Sequence, residues 1–280
     1  MLTNCTITGF ADEIHSDIKV QVKLLKELGI HYLELRSANG KSIAEYTIEE
    51  AKELKKYLWK EQIKVSAIGS PIGKIMVTED FEAHYELFQK IVEIAKIMET
   101  PYIRIFSFYI PEGQEPEQFE TEVITRLQRM ITYAGTQGCI LLHENEKGIY
   151  GDVASRCQRL FTSLPADHFK CTFDFANFIQ CKQETLEAYE MLKPYIQYIH
   201  IKDAFLSTGE VTPAGEGDGK VKEILGKLEE KGYCGYLSLE PHLVEFMALK
   251  TLEKDVKKRT RTNAEEAFVI AYQALIKILQ

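Results

Sequence analysis

Short apolar or β-branched runs alternate along the chain with longer stretches of helical period, the pattern expected of parallel strands joined by helical crossovers. The runs are TITGF (6–10), YLELR (32–36), KVSAIG (64–69), YIRIFS (102–107), CILLHE (139–144), KCTFDF (170–175), YIHIKD (198–203) and YLSLE (236–240), eight in all. Eight candidate helices accompany them. The third is the clearest, with Phe81, Tyr85, Phe88, Ile91, Val92, Ala95 and Met98 forming one apolar stripe, mostly at spacings of three. Punctuation agrees with the pattern: Ser16-Asp17 precedes the first helix, Thr47 and Glu50 read as a capping box, and Gly29 and Gly138 end helices.

Each unit takes about 30 to 38 residues, and no Pro/Gly/Ser-rich linker divides the 280. The pattern therefore predicts one α/β domain over 1–280, a (β/α)8 TIM barrel with a parallel eight-stranded barrel and outer helices. A doubly wound open sheet competes with it, but would want a Gly-rich turn after the first strand, where Ala11-Asp12-Glu13 stand instead. A barrel carries its function at the carboxyl ends of its strands.

With 45% hydrophobic and 27% charged residues the composition is that of an ordinary globular protein, which excludes the disordered and collagen-like classes. Lys and Arg number 34 against 42 Asp and Glu, a net charge of −8. That argues against a non-specific nucleic-acid surface or an anionic-membrane surface. The six cysteines include no CxxC pair and read as free thiols of a reducing compartment. The first ten residues lack the pattern of a secretory signal, and no run of 18 apolar residues occurs, so a cytoplasmic protein is expected, without membrane or nucleic-acid partners.

Polar residues crowd the strand ends: Asp12 and Glu13, Glu34 and Arg36, Ser70 and Lys74, Arg104 and Ser107, then His143 to Glu146, Asp174 and Asn177, His200 to Asp203, Glu240 and His242. Any one of them alone reads as a helix cap or a satisfied strand end. Glu144, Asp174, His200 and Glu240 are different, because each follows an apolar run and their strands, the fifth to eighth, are neighbours around half a barrel. Three carboxylates and an imidazole can converge on a divalent ion and leave positions open for substrate oxygens. Without a cation the carboxylates would repel one another. The alternative is buried ion pairing with Lys202, Arg104 or Lys74. Likewise Arg36, Lys74 and Arg104 either clamp an anionic group of a substrate or balance neighbouring acids.

The runs LLHENE, TFDFANF, YIHIKDA and GYCGYLSLEPH, with 30, 26 and 40 residues between the four candidate ligands, resemble the xylose-isomerase-like TIM barrels, the sugar phosphate isomerase/epimerase family. The resemblance covers essentially the whole chain and includes GEGDG before the seventh helix, read as a tight active-site loop. It implies a divalent metal (Mn, Mg, Co or Zn) held by Glu144, Asp174, His200 and Glu240. It also implies that Glu144 and Glu240 double as the acid/base pair of ketose 3-epimerase chemistry, in which the ion polarises a ketone oxygen and stabilises the enediolate. Two positions depart from it. Relatives carry a histidine three residues after the aspartate, where this chain has Asn177, and an arginine about six after the histidine, where it has Leu206. Both usually touch substrate, so substrate choice stays open. Lys202 and Asp203 match the family's HxKD pattern, and Lys202 either binds a substrate oxygen or neutralises Glu240.

The expected function is a divalent-metal-dependent isomerase or epimerase of a small ketose or keto-sugar derivative, with Asn177, Lys202, Arg104, Lys74 and Arg36 as substrate-binding candidates. The alternatives are a lyase or dehydratase that begins with the same proton abstraction, and a non-catalytic carbohydrate-binding barrel. Metal-dependent endonucleases of this barrel are disfavoured by the acidic net charge and the lack of spare strand-end histidines. A homo-oligomer is compatible with the family. Residues 241–263 read as a solvated surface run, with a lid or subunit contact as the minority view, and Trp59 as half-buried core. His15, His31, His84 and His168 are expected at surface or capping positions.

Overall fold

The computed structural model describes residues 2, 4–244 and 264–280. All eight runs form strands: β1 (Thr6–Gly9), β2 (Tyr32–Leu35), β3 (Lys64–Gly69), β4 (Tyr102–Ile105), β5 (Ile140–Glu144), β6 (Phe169–Asp174), β7 (Ile196–Ile201) and β8 (Tyr236–Leu239). They pair in parallel in the order β1-β8-β7-β6-β5-β4-β3-β2, and β1 and β2 pack side by side, so the sheet is a nearly closed (β/α)8 barrel. Helices α1 (Ile18–Glu27), α2 (Ile48–Lys60), α3 (Phe81–Met98), α4 (Glu120–Thr136), α5 (Ala154–Ser163), α6 (Phe175–Gln180), α7 (Thr185–Leu192), α8 (Val221–Glu230) and α9 (Ala264–Leu279) surround it.

Local chemistry sets these boundaries. Asp17 caps α1 by accepting from the Lys19 N–H, and Thr47 with Glu50 closes a reciprocal capping box on α2. The sixth unit departs from the expected single helix. Asp174 accepts from the Asn177 N–H, which starts a short α6 directly at the strand end, and Lys182 in the left-handed region (φ 58°) turns the chain into α7. The seventh expected helix is thus α8.

Along a strand successive side chains point to opposite faces. Outward residues such as Leu33, Ile103, Leu141, Phe173, Ile199 and Leu237 join the apolar layer under the helices. Inside, Ala67, Leu142 and Tyr198 meet Tyr102, Ile140 and Tyr236, and the rings of Tyr198 and Tyr236 lie 5.4 Å apart. This plug makes the barrel a packed core rather than a pore. Two residues further along β5, β7 and β4 the inward positions are Glu144, His200 and Arg104, so the plug becomes the floor of a polar site.

Two expectations fail. Trp59 is 76% exposed, because α2 buries Ala51, Leu54 and Leu58 and position 59 falls on the flank of that stripe. His84 is buried, since it lies three residues after Phe81 and four before Phe88 on the inner face of α3, where its Nε2 accepts from the Gly73 N–H at 2.8 Å. His15 does act at a helix start, accepting from the Asp17 N–H. The six cysteines are free. Most of the 241–263 segment, including the expected surface run or lid, lies outside the described residues.

Candidate active site

Glu144, Asp174, His200 and Glu240 converge at the carboxyl ends of β5 to β8. One ligand atom from each lies within 4.8 Å of all the others, and all four residues are buried. Nδ1 of His200 is the hub: it lies 2.9 Å from Glu144 Oε1, 3.3 Å from Glu240 Oε2 and 3.8 Å from Asp174 Oδ2. Donors on opposite sides of one ion at roughly 2.0–2.4 Å stand about 4–4.8 Å apart, so the set has the dimensions of a single coordination shell. The buried Asp174 Oδ2 accepts no hydrogen bond, although Lys202 Nζ is 3.1 Å away. A buried ionisable oxygen without a hydrogen bond is one that a bound cation would satisfy. The residues present therefore fit a divalent ion.

Cations already thread this acidic group. Arg104 Nη1 donates to Glu144 Oε2 at 2.7 Å, Lys202 Nζ to Glu240 Oε2 at 2.9 Å, and Arg36 Nη1 to Glu240 Oε1 at 3.3 Å. Ion pairing and ligand geometry, alternatives from sequence, coexist here. Burial alone would push every carboxylate up. Against that penalty, the charges of His200 and Arg104 hold Glu144 well below its ordinary range, and those of Lys202 and His242 do the same for Glu240. For Asp174 burial wins over Lys202, with Glu144 and Glu240 adding repulsion, and its carboxyl rises to about 7. His200 is held well above its ordinary value, because the surrounding glutamates outweigh its burial.

The first four strands supply the surroundings. Arg36 pairs with Asp12 (2.8 Å) and Glu13 (3.2 Å) and stacks over Phe10, 4.3 Å from the ring centre. The Phe10 ring meets His200 edge-on. His242, in the left-handed region at φ 47°, donates its backbone N–H to Glu13 at 2.7 Å. Glu13, Glu240 and His242 also bring ligand atoms within 4.8 Å, but Arg36 contacts both glutamates, and the group reads as an ion-pair cluster. After β3, Gly73 (φ 89°) passes so close to Phe106 that a Cβ would sit 2.1 Å from its carbonyl oxygen. This turn sets Lys74 above Phe106 and 3.0 Å from Glu146.

Above the floor opens a cavity of about 790 Å³. Its wall includes the five substrate-binding candidates Arg36, Lys74, Arg104, Asn177 and Lys202. Of the four central residues, Glu144 and Glu240 line the cavity, while Asp174 and His200 stand behind them. Arg36, Lys74 and Arg104 each face an acid, so they balance charge whatever else they bind. Asn177 donates to Glu144 Oε1 (3.2 Å) and to the Asn145 carbonyl (2.8 Å), and so braces Glu144. Leu206 is exposed at the mouth, in the connection between the two strands of the ribbon Asp203–Ala204 with Val211–Thr212. The GEGDG loop is organised by Asp203, whose carboxylate accepts from the N–H groups of Ala204, Gly215, Gly217 and Gly219. Sequence reasoning placed Glu34 at a strand end without a role. The structure sets it against His200 Nε2, and the signal lay in its phase, two residues before Arg36 on the same face of the chain.

Comparison with known proteins places the chain among relatives. Residues 22–267 match the family described as xylose isomerase-like TIM barrel. A 3-dehydroshikimate dehydratase of Bacillus anthracis is 20% identical over 199 residues, covering 71% of this chain and 70% of that protein. Among solved structures, the IolI protein with a bound zinc atom superposes with TM-score 0.76 at 16% identity, covering 98% of each chain. An L-ribulose 3-epimerase gives 0.76 at 16% identity, over 98% of this chain and 94% of that one.

Proposed function

This chain belongs to the xylose isomerase-like TIM-barrel family, and we propose that it is a divalent-metal-dependent isomerase or epimerase of a small ketose or keto-sugar derivative. The observation that carries this reading is the convergence of Glu144, Asp174, His200 and Glu240 beneath a cavity that, of these four, the two glutamates line. In that reading the four residues hold the ion, which supplies electrophilic polarisation of a substrate carbonyl. Glu144 and Glu240 face the cavity from different strands and are the pair that takes and returns the proton on the carbon next to the carbonyl. Arg104 and Asn177 hold Glu144 in place. Arg36 and Lys202 hold Glu240, and Lys202, on the wall, is also within reach of a substrate oxygen. The enclosed floor limits water, which keeps these charge interactions strong.

A second reading, a dehydratase, is favoured by the match to 3-dehydroshikimate dehydratase. It starts with the same proton transfer, and the electron pair of the broken C–H bond then expels a β-hydroxyl, which leaves as water with a proton from the acid partner. The deciding experiment incubates the metal-loaded protein with ketoses, keto-glycosides and 3-dehydroshikimate in D2O. Deuterium at carbon with unchanged composition supports the epimerase or isomerase, whereas loss of one water from the product supports the dehydratase. Neither exchange nor turnover, with carbohydrate still bound, would support a non-catalytic binding barrel. Exchange that persists undiminished in Glu144→Gln and Glu240→Gln would refute the proton-transfer roles.

A further inference from the structure

Glu34 has no part in the proton transfer proposed above, yet it is a carboxylate with only 1% exposure at the centre of the barrel. It is absent from the cavity wall, so it meets a substrate only through another residue. Ser238 Oγ donates to its Oε2 at 2.7 Å, and His200 Nε2 lies 3.2 Å from Oε2 and 3.4 Å from Oε1. The other ring nitrogen, Nδ1, is the one that faces Glu144, Glu240 and Asp174.

A neutral imidazole carries one N–H and one lone pair, and an ionised carboxylate can only accept. Glu34 is therefore satisfied by a proton on Nε2 and by no other state of that atom. The ring is flanked edge-on by Phe10, at 5.1 Å between centres, and by Tyr198, at 5.8 Å. Turning the ring over would point carbon atoms at Glu34 and at the three acids. We infer that Glu34 is a positioning residue that keeps a proton on His200 Nε2, so that Nδ1, facing the point shared by Glu144, Asp174 and Glu240, is the nitrogen that gives up its proton to bind a divalent cation there. The inference rests on the metal-site reading above. Ser238, from the neighbouring β8, fixes the carboxylate that fixes the ring.

The test uses zinc, which is diamagnetic, added to the chelator-stripped full chain, with affinity read by calorimetry and the His200 nitrogens by ¹⁵N NMR. In the wild type, Nδ1 should take the shift of a metal-bound nitrogen and Nε2 should keep its hydrogen. Glu34→Gln keeps the volume and removes the charge, and should weaken zinc by about 10- to 100-fold, the usual cost of losing such an outer partner. Ser238→Ala, which leaves the carboxylate in place, should fall between the two. Zinc bound through Nε2, or Glu34→Gln affinity within about threefold of wild type, overturns the inference while leaving the metal site standing. No zinc binding by the wild type overturns both. Should Glu34→Gln fail to fold by circular dichroism, the wild-type spectrum alone decides.

Discussion

The two halves of the barrel mouth are built for different tasks. Strands β5 to β8 end in Glu144, Asp174, His200 and Glu240, which point their donor atoms at one another. Strands β1 to β4 lead to counter-groups: Arg104 answers Glu144, Arg36 answers Glu240, and Glu34 answers His200. Lys202, from the second half itself, is shared by Glu240 and Asp174, and Asp174 differs in having no cation from the first half within ion-pair distance among the described residues. The contrast teaches that the acidic centre is not held by its own strands alone. Like charges a few ångström apart repel strongly in a low-dielectric interior, and the first half supplies the fixed charges that let the second half stay assembled. It also accounts for Asp174 as the odd carboxyl, pushed up to about 7 by burial that Lys202 only partly offsets.

The largest effect should come from the second half. Glu144→Gln and Glu240→Gln should each reduce turnover by at least about 10²-fold, the lower end of what positioned acid–base groups contribute. Asp174→Asn should abolish measurable zinc binding in calorimetry while leaving the metal-free protein as stable as wild type or more so. It removes a carboxylate whose charge is penalised by burial and by the neighbouring glutamates. A stability loss in Asp174→Asn comparable to that of a first-half variant would break the division between the halves.

The first half should answer in stability. Arg104→Met leaves the buried Glu144 without its 2.7 Å partner, and removing one member of a buried pair costs about 3–5 kcal/mol. Urea unfolding of the metal-free protein should show this loss, and saturating zinc should recover part of it by supplying another cation. Full stability in metal-free Arg104→Met would show that Glu144 is not held by the neighbouring first-half strand.

How much of this contrast could be read in the sequence follows from distance along the chain. The donors were legible because each closes its own apolar run, at Glu144, Asp174, His200 and Glu240, and the eight runs were legible because buried parallel strands are continuously apolar. Helix α3 was legible as a stripe, although Tyr85 is only half-buried and His84, at the same spacing of three and four from Phe81 and Phe88, takes the inner position. The pairings were not legible. The inward phase of Glu34 was local to YLELR but its partner was not, because Glu34 meets His200 only where the barrel nearly closes between β1 and β2. Asp203 was visible as part of a motif, but its grip on Gly215, Gly217 and Gly219 depends on how the ribbon folds back.

A smaller effect sharpens the comparison by acting on one half alone. His84 holds the Gly73 turn that carries Lys74, and burial, aided by the charge of Arg126, lowers its pKa from 6.5 to about 4. The folded state therefore binds fewer protons than the unfolded state between those values. Its contribution is complete above pH 6.5 and is lost as pH falls towards 4, amounting to about 3 kcal/mol in all and about 2 kcal/mol by pH 5. His84→Gln keeps an acceptor for the Gly73 N–H without titrating. The difference in urea midpoint between wild type and His84→Gln should thus shrink or change sign from pH 7 to pH 5, and a constant difference would refute the assignment.

The smallest effect belongs to Trp59, on the outside of α2 and away from both halves. At 76% exposure it has little apolar surface to lose, and Trp59→Gln should shift stability by no more than about 0.5 kcal/mol. As the one tryptophan in the chain, it also makes intrinsic fluorescence a report on a surface remote from the mouth. Its emission should be that of a water-exposed indole and should not move when zinc is added. If adding zinc shifts the emission, binding reorganises α2 as well as the mouth. The first half would then be a moving part rather than the fixed set of charges that the pairing of Arg36, Arg104 and Glu34 with the donors describes.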